Sequence, residues 1–176
     1  MIKLNFDGAS KGNPGKAGYG GIFRNHEGTP LLLYFGSIGW DTNNSVELEG
    51  IWQGLCLDHQ HNFHPIIIEG DSQILINMAN QIQLGTSASK VATSWRLAAR
   101  LELIEKWLKN RRAITFTHFK REGNKAADLL ENIGVDNNHV LRSGSLTILN
   151  DSTQLQECTS LVHKEAKIPD VGLFNA

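Results

Sequence analysis

The sequence predicts an α/β fold with a five-stranded mixed sheet flanked by helices, and three observations carry that prediction. Three strand-like runs, about 2–7, 18–24 and 30–39, crowd together at the start, separated only by turns. The run Pro65-Ile66-Ile67-Ile68-Glu69-Gly70-Asp71 is short, apolar and β-branched, the pattern of a strand buried on both faces by parallel pairing. Beyond it, stretches with helical spacing alternate with one further strand.

Each element has its own local reason. Ile2, Leu4 and Phe6 alternate with Lys3 and Asn5, a period of two that delivers Asp7 to the strand's carboxyl end. Gly12-Asn13-Pro14-Gly15 and Glu27-Gly28-Thr29-Pro30 are turns, so the first three strands form an antiparallel meander. Gly18, Gly20 and Gly21 in the second strand imply that other backbone, or a ligand, comes close there. Thr42-Asn43-Asn44 reads as a helix start with Asn43 or Asn44 as N-cap. The helix runs to about His59 on a stripe of Leu48, Ile51, Trp52 and Leu55. Helical geometry sets Glu47 at the edge of that stripe and Glu49 beside Gln53, where it is expected to be solvated. Ser72 caps a helix from Gln73 to about Gln81, and residues 82–92 read as a loop or a weak helix. Trp95 to Lys109 is an amphipathic helix on Leu97, Leu101, Ile104 and Leu108. Trp95 and Trp107 are expected as core or helix-edge residues rather than stacking platforms. Ala113 to His118 is a strand, followed by a basic loop. A final helix opens at Asn124, with Ala126, Ala127, Leu130 and Ile133 on its apolar side and Asp128 in its first turns. The expected domain is 1–136. The extension 137–176 is polar, with Leu146–Leu149 as one short packed segment and the remainder loosely held or disordered.

Composition narrows the function classes. At 176 residues and 40% hydrophobic content the chain suits one ordinary soluble domain. It has neither a membrane-length apolar run nor a signal-peptide layout, so no membrane partner is expected, and the compartment is intracellular, cytoplasmic or nuclear. Cys56 and Cys158 provide neither a disulfide framework nor metal spacing, which favours a reducing compartment. The net charge of −1 conceals an asymmetry: from Lys90 to Lys125 ten basic residues face three acids. That segment reads either as a polyanion-binding surface or as a solvated helix face laced by Glu102–Lys106 and Glu105–Lys109 pairs.

The acids carry the chemistry. Asp7 and Asp71 end strands, while Glu47 and Asp128 lie near helix N-termini, the places where an α/β sheet forms its ligand crevice. Four converging carboxylates repel one another unless cations neutralise them, and all-oxygen donors suit Mg²⁺ or Mn²⁺. Two such ions can hold an in-line displacement at phosphorus.

Four stretches resemble, in order, the successive motifs of type 1 ribonuclease H: Asp7-Gly-Ala-Ser-Lys-Gly-Asn-Pro-Gly, Thr42-Asn-Asn-Ser-Val-Glu47, Glu69-Gly-Asp71-Ser-Gln, and His118 followed by Asn124-Lys-Ala-Ala-Asp128. The details most resemble the archaeal-like ribonuclease H domains of plant non-LTR retrotransposons. The resemblance implies a ribonuclease H-like fold and an endonuclease cutting the RNA strand of RNA/DNA hybrids, leaving 5′-phosphate and 3′-hydroxyl ends. It implies Asp7, Glu47, Asp71 and Asp128 as ligands of two Mg²⁺ ions, with Mn²⁺ as a substitute. His118 matches a loop histidine that relays protons or helps product leave; its rival reading is an incidental strand-end histidine. Asn13, Asn43, Asn44 and Gln73 match contacts to the hybrid's minor groove, where amides can bond 2′-hydroxyls and base edges. Ser10, Gly12, Thr42 and Ser72 complete the substrate-contact set. The resemblance also implies a monomer and, as partner, the reverse transcriptase part of a larger polyprotein.

The chain departs from bacterial relatives in lacking a basic helical handle: residues 82–94 are short, with Lys90, Arg96 and Arg100 as the available substitutes. The alternative function is a catalytically weak nucleic-acid-binding module. Four clustered acids argue against it, since a pure binder gains nothing from them. His118 and the Asn-Pro-Gly turn argue against another enzyme of the same superfamily, and no Lys-Ser-ended glycine loop supports a P-loop phosphotransferase.

Overall fold

The computed structural model describes residues 1–109, 113–120, 124–136 and 142–144. In chain order the elements are β1 (Ile2–Gly12), β2 (Gly15–Arg24), β3 (Pro30–Asp41), α1 (Asn43–His61), β4 (Ile66–Gly70), α2 (Gln73–Gln83), α3 (Ala88–Val91), α4 (Trp95–Leu108), β5 (Ile114–His118), α5 (Lys125–Asp136) and β6 (Arg142–Gly144). The strands form one mixed sheet in the order β5-β4-β1-β2-β3-β6. β1, β2 and β3 are the antiparallel meander that the turns predict. β4 lies parallel to both β1 and β5, as its continuous apolar run requires.

The five predicted strands are all present, and a sixth joins them. Arg142–Gly144 pairs antiparallel with Leu33–Phe35 of β3. Three residues reading Arg-Ser-Gly have no apolar alternation, so sequence pattern alone offers no signal for them. The predicted packed segment Leu146–Leu149 lies outside the described residues. β1 continues past Asp7 to Gly12, because the hairpin ladder extends to the Gly12–Gly15 pair and backbone pairing needs no apolar side chain.

The sheet separates two cores. On one face Leu4, Phe6, Tyr34 and Ile68 pack against Leu48, Ile51 and Leu55 of α1 and Leu97, Leu101 and Ile104 of α4. On the other, Ile22, Leu33 and Phe35 pack against Ala126, Leu130 and Ile133 of α5. Burying each such side chain contributes about 1.5–3 kcal/mol. The close approach forecast for the β2 glycines is made by α5 at Gly18 and Gly20 and by the Tyr34 ring at Gly21. A Cβ on Gly18 would lie 2.2 Å from Val135 N, and one on Gly20 2.5 Å from Glu131 N. Tyr34, fully buried, donates its hydroxyl to the Gly50 carbonyl of α1 at 2.7 Å, and burial pushes its phenol well above the usual range.

Three local expectations are corrected. The N-cap of α1 is Thr42, whose hydroxyl accepts from Ser45 N at 3.4 Å, not Asn43 or Asn44. Ser72 stands at the N-cap position of α2 but makes no side-chain cap bond. Glu49 is not solvated: it is 5% exposed, pairs with Arg100 of α4 and accepts from Gln53 Nε2 at 2.6 Å. Helix spacing places Glu49 correctly beside Gln53, but the packing of α4 across α1 covers that side. Arg100 is thereby committed internally and is no substitute for a handle.

The two α4 tryptophans diverge. Trp107 is half-buried, edge-on to Trp52 at 5.7 Å and to His59 at 5.4 Å. Trp95 is 77% exposed, outside the core and helix-edge expectation, with the Arg96 guanidinium 4.9 Å from its ring. The loop-or-helix stretch holds the single turn α3, whose Ala88 N donates to Glu105 Oε2 at 2.9 Å. That bond, with Lys109 at 2.9 Å, holds the Glu105 carboxyl below its ordinary value of 4.5.

Arg100→Ala leaves a buried carboxylate without its cation and is expected to cost about 3 kcal/mol, read from the urea midpoint. Glu105→Gln tests the second contact. Because the folded state lowers the Glu105 pKa, its contribution is present above the ordinary value and fades as pH falls through the folded one. The stability gap between wild type and Glu105→Gln is expected to be open at pH 7 and to close below about pH 4.5.

Candidate active site

The first strand supplies two faces with different work. Leu4 and Phe6 enter the α1 core, so Lys3, Asn5 and Asp7 point to the opposite face. Sequence alternation marks these as the polar side, yet Asn5 and Asp7 are each only 7% exposed. Asn5 Nδ2 donates to Glu69 Oε2 of β4 at 2.9 Å, and Lys3 Nζ lies 3.4 Å from Glu69 Oε1. A buried polar row therefore runs along β1 and β4 and ends at the acids.

Parallel pairing carries two of those acids towards the same edge of the sheet. Asn5 is level with Glu69, the last pair of that ladder, and Asp71 follows directly on the final residue of β4, towards the same edge of the sheet as Asp7. Asp7 Oδ1 accepts from Gly8 N at 2.8 Å, and Asp7 Oδ2 from Asn124 Nδ2 at 3.4 Å. Gly8 is required here: a Cβ on it would stand 2.6 Å from Glu47 N, so the α1 backbone rests directly on the strand. That contact seats Glu47, which is half-buried, over the residue that follows Asp7. Asp128 is half-buried in the first turn of α5, and its N–H bonds the Asn124 carbonyl at 3.0 Å.

These contacts draw the segments that carry Glu47, Asp71 and Asp128 towards the middle of β1, where Asp7 stands. Among the described residues no three His, Cys, Asp or Glu side chains are grouped closely enough to hold a metal ion. The donor chemistry is that of hard oxygen ligands, which suit a divalent cation, and the buried amide oxygen of Asn124 is a further one of the same kind. His118 is exposed at the end of β5, its Nε2 3.0 Å from the Asp71 carbonyl.

The predicted substrate contacts fall into one network and one outlier. Asn43 Oδ1 accepts from Ser10 N at 2.8 Å, and Asn43 N donates to Asn13 Oδ1 at 3.1 Å. Ser10 Oγ bonds the carbonyls of Gly12 and Asp41, both at 2.7 Å. Asp41 accepts in turn from Thr42 N at 2.8 Å, Ser45 Oγ at 2.9 Å and Arg96 Nη1 at 3.4 Å. The end of β1, its turn and the head of α1 are so locked together, with Asn44 half-buried beside them. Gln73 stands apart on α2, exposed, donating to Asn77 Oδ1 at 2.8 Å, with Ser72 half-buried before it. Sequence reasoning assigned no site role to Asp41 or Asn124. Asn124 belongs to the His118–Asp128 motif, and Asp41 precedes Thr42, so position was the available signal.

A family model described as reverse transcriptase-like matches residues 5–133. A ribonuclease H of Bordetella avium is 30% identical over 149 residues, covering 77% of this chain and 90% of its own. A longer Arabidopsis thaliana protein named for ribonuclease H is 29% identical over 131 residues, and this chain spans 20% of its length. The crystal structure of a ribonuclease H1 known as LC11, in complex with an RNA/DNA hybrid, superposes with a TM-score of 0.65 at 26% identity, covering 77% of this chain and 97% of that one.

Asn43→Ala removes the acceptor of Ser10 N and is expected to destabilise by about 1 kcal/mol. Amide exchange is the specific readout: protection of the Ser10 N–H falls while that of the β1–β4 ladder is retained.

Proposed function

Because the chain belongs to the ribonuclease H family, we propose that it is an endonuclease hydrolysing the RNA strand of RNA/DNA hybrids. The observation that carries this reading is the parallel β1–β4 pairing that brings Asp7 and Asp71 towards one sheet edge, with α1 resting on Gly8 at Glu47 and Asn124 joining the first turn of α5 to Asp7. The fold shared with a hybrid-bound relative supports the substrate class.

In this reading Asp7, Glu47, Asp71 and Asp128 hold two Mg²⁺ ions, with Mn²⁺ as a substitute. When bound, such ions activate water and neutralise charge at the scissile phosphate. The chain's own residues do the remaining work. Gly8 N and Asn124 fix the Asp7 carboxylate, so it need not reorganise as charge develops. His118, exposed beside Asp71, is placed to exchange a proton between the leaving strand and solvent. Asn13, Asn43, Asn44 and Gln73 offer amides to the minor groove, and Ser10, Gly12, Thr42 and Ser72 offer hydroxyl and backbone groups. The locked network among Ser10, Asn13 and Asn43 means their geometry is set before the hybrid arrives. Water attack from the side opposite the 3′ oxygen leaves a 5′-phosphate and a 3′-hydroxyl. We place the catalytic unit within 1–136, acting as a monomer, with the reverse transcriptase part of a retroelement polyprotein as partner. The family description and the one-fifth share of the plant relative support that context.

The test is cleavage of an RNA strand paired to DNA in Mg²⁺ or Mn²⁺, with the RNA alone and in duplex RNA as controls. Hybrid-only cutting is expected, with ligatable 5′-phosphate ends, and Asp71→Asn should lower the rate by about 100-fold or more. A wild-type protein that binds the hybrid but cuts it with neither metal would overturn the nuclease reading in favour of a binding module.

A further inference from the structure

We propose that Asn124 is a positioning residue, holding the Asp7 carboxylate and the start of α5 in one fixed arrangement and turning a buried acceptor towards the ligand of the site. The inference rests on the nuclease reading above. Asn124 immediately precedes α5 and is 1% exposed. Its carbonyl accepts from Asp128 N at 3.0 Å, the first helical bond of α5, so it occupies the N-cap position.

An asparagine at that position ordinarily turns its side-chain oxygen onto the helix's own N–H groups. Here the side chain is used differently. Asn124 Nδ2 donates to the Phe6 carbonyl at 2.9 Å and to Asp7 Oδ2 at 3.4 Å, both across the interface on β1. Asp7 Oδ1 is held from the other side by Gly8 N at 2.8 Å. Rotation of the carboxylate is therefore opposed at both oxygens. A carboxylate accepts at about four positions, so two fixing bonds are compatible with ligating a cation. Through the same residue Asp7, on a strand, and Asp128, on a helix, are tied into one unit.

The remaining atom is the second observation. Asn124 Oδ1 is buried and accepts no hydrogen bond among the described residues. A buried acceptor is costly unless a donor reaches it, and a hydrated divalent cation brings donors in the waters it carries. Residues that orient metal ligands in this way typically matter about 10–100-fold to affinity or activity.

Asn124→Ala and Asn124→Ser test the assignment, serine being a competent N-cap that cannot reach Asp7 with an amide. Three quantities are measured: Mn²⁺ affinity of the substrate-free protein by calorimetry, kcat and KM on the hybrid, and the melting temperature. Expected are Mn²⁺ binding and kcat each lowered about 10–100-fold, KM within about twofold, and a serine variant melting close to wild type. Should the alanine variant fail to fold, the serine variant decides. Mn²⁺ affinity and kcat at wild-type values, with only the melting temperature lowered, would overturn the assignment and leave Asn124 a purely structural residue. If wild type cleaves nothing, the nuclease reading fails on its own, and the Mn²⁺ titration still decides the role of Asn124.

Discussion

The pairing of β1 with β4 in parallel register is the constraint on which the remainder depends. β1 sits at the centre of the sheet, antiparallel to β2 on one side and parallel to β4 on the other. Parallel pairing sends both strands in the same direction, so Asp7, inside β1, and Asp71, directly after β4, lie towards the same edge. A slip of one residue would turn Asp7 into the Leu4–Phe6 core and Phe6 into the crevice. Burial of Leu4, Phe6 and Ile68 on one face, and the Asn5–Glu69 bond on the other, fix the register from both sides.

The helices are then seated by close backbone contact. α1 rests on Gly8, and α5 rests on Gly18 and Gly20, at distances that a Cβ would not allow. These approaches seat the Glu47 backbone on Gly8 and, through Asn124, bring the first turn of α5 to Asp7. The consequence is a site built on rigid elements, with Asp7 held by a strand amide and a helix-cap amide at once. Ser10, Asn13 and Asn43 are similarly bonded to one another. Groups that bind a polyanion after arriving in a set geometry lose less ordering free energy than flexible ones.

The basic segment illustrates how charge counted along a chain differs from charge offered to a ligand. Arg100 is committed to Glu49, Arg96 is shared between Asp41 and the Trp95 ring, and Lys109 neutralises Glu105. Three of the ten basic residues are therefore engaged within the scaffold: Arg100 ties α4 to α1, Arg96 ties it to the end of β3, and Lys109 pairs along α4 itself. They stabilise the scaffold that positions the acids.

Local pattern by itself determined the meander, the buried parallel strand, the amphipathic helices and the place of Asp71 after β4 and of Asp128 in the first turn of α5, whereas Asp7, expected at a strand end, stands inside β1. Those features follow from side-chain period and turn chemistry, which are written in neighbouring residues. The four ordered motifs identified the family for the same reason: their spacing is a property of the chain. Tertiary structure alone decided the rest. Glu49 became buried because α4 crosses α1, the N-cap passed to Thr42 because Asn43 was engaged by Ser10 and Asn13, and Asn124 turned from its own helix to Asp7. Each of these depends on a partner far away in sequence, over 100 residues in the case of Asn124 and Asp7, and no local period encodes such a meeting.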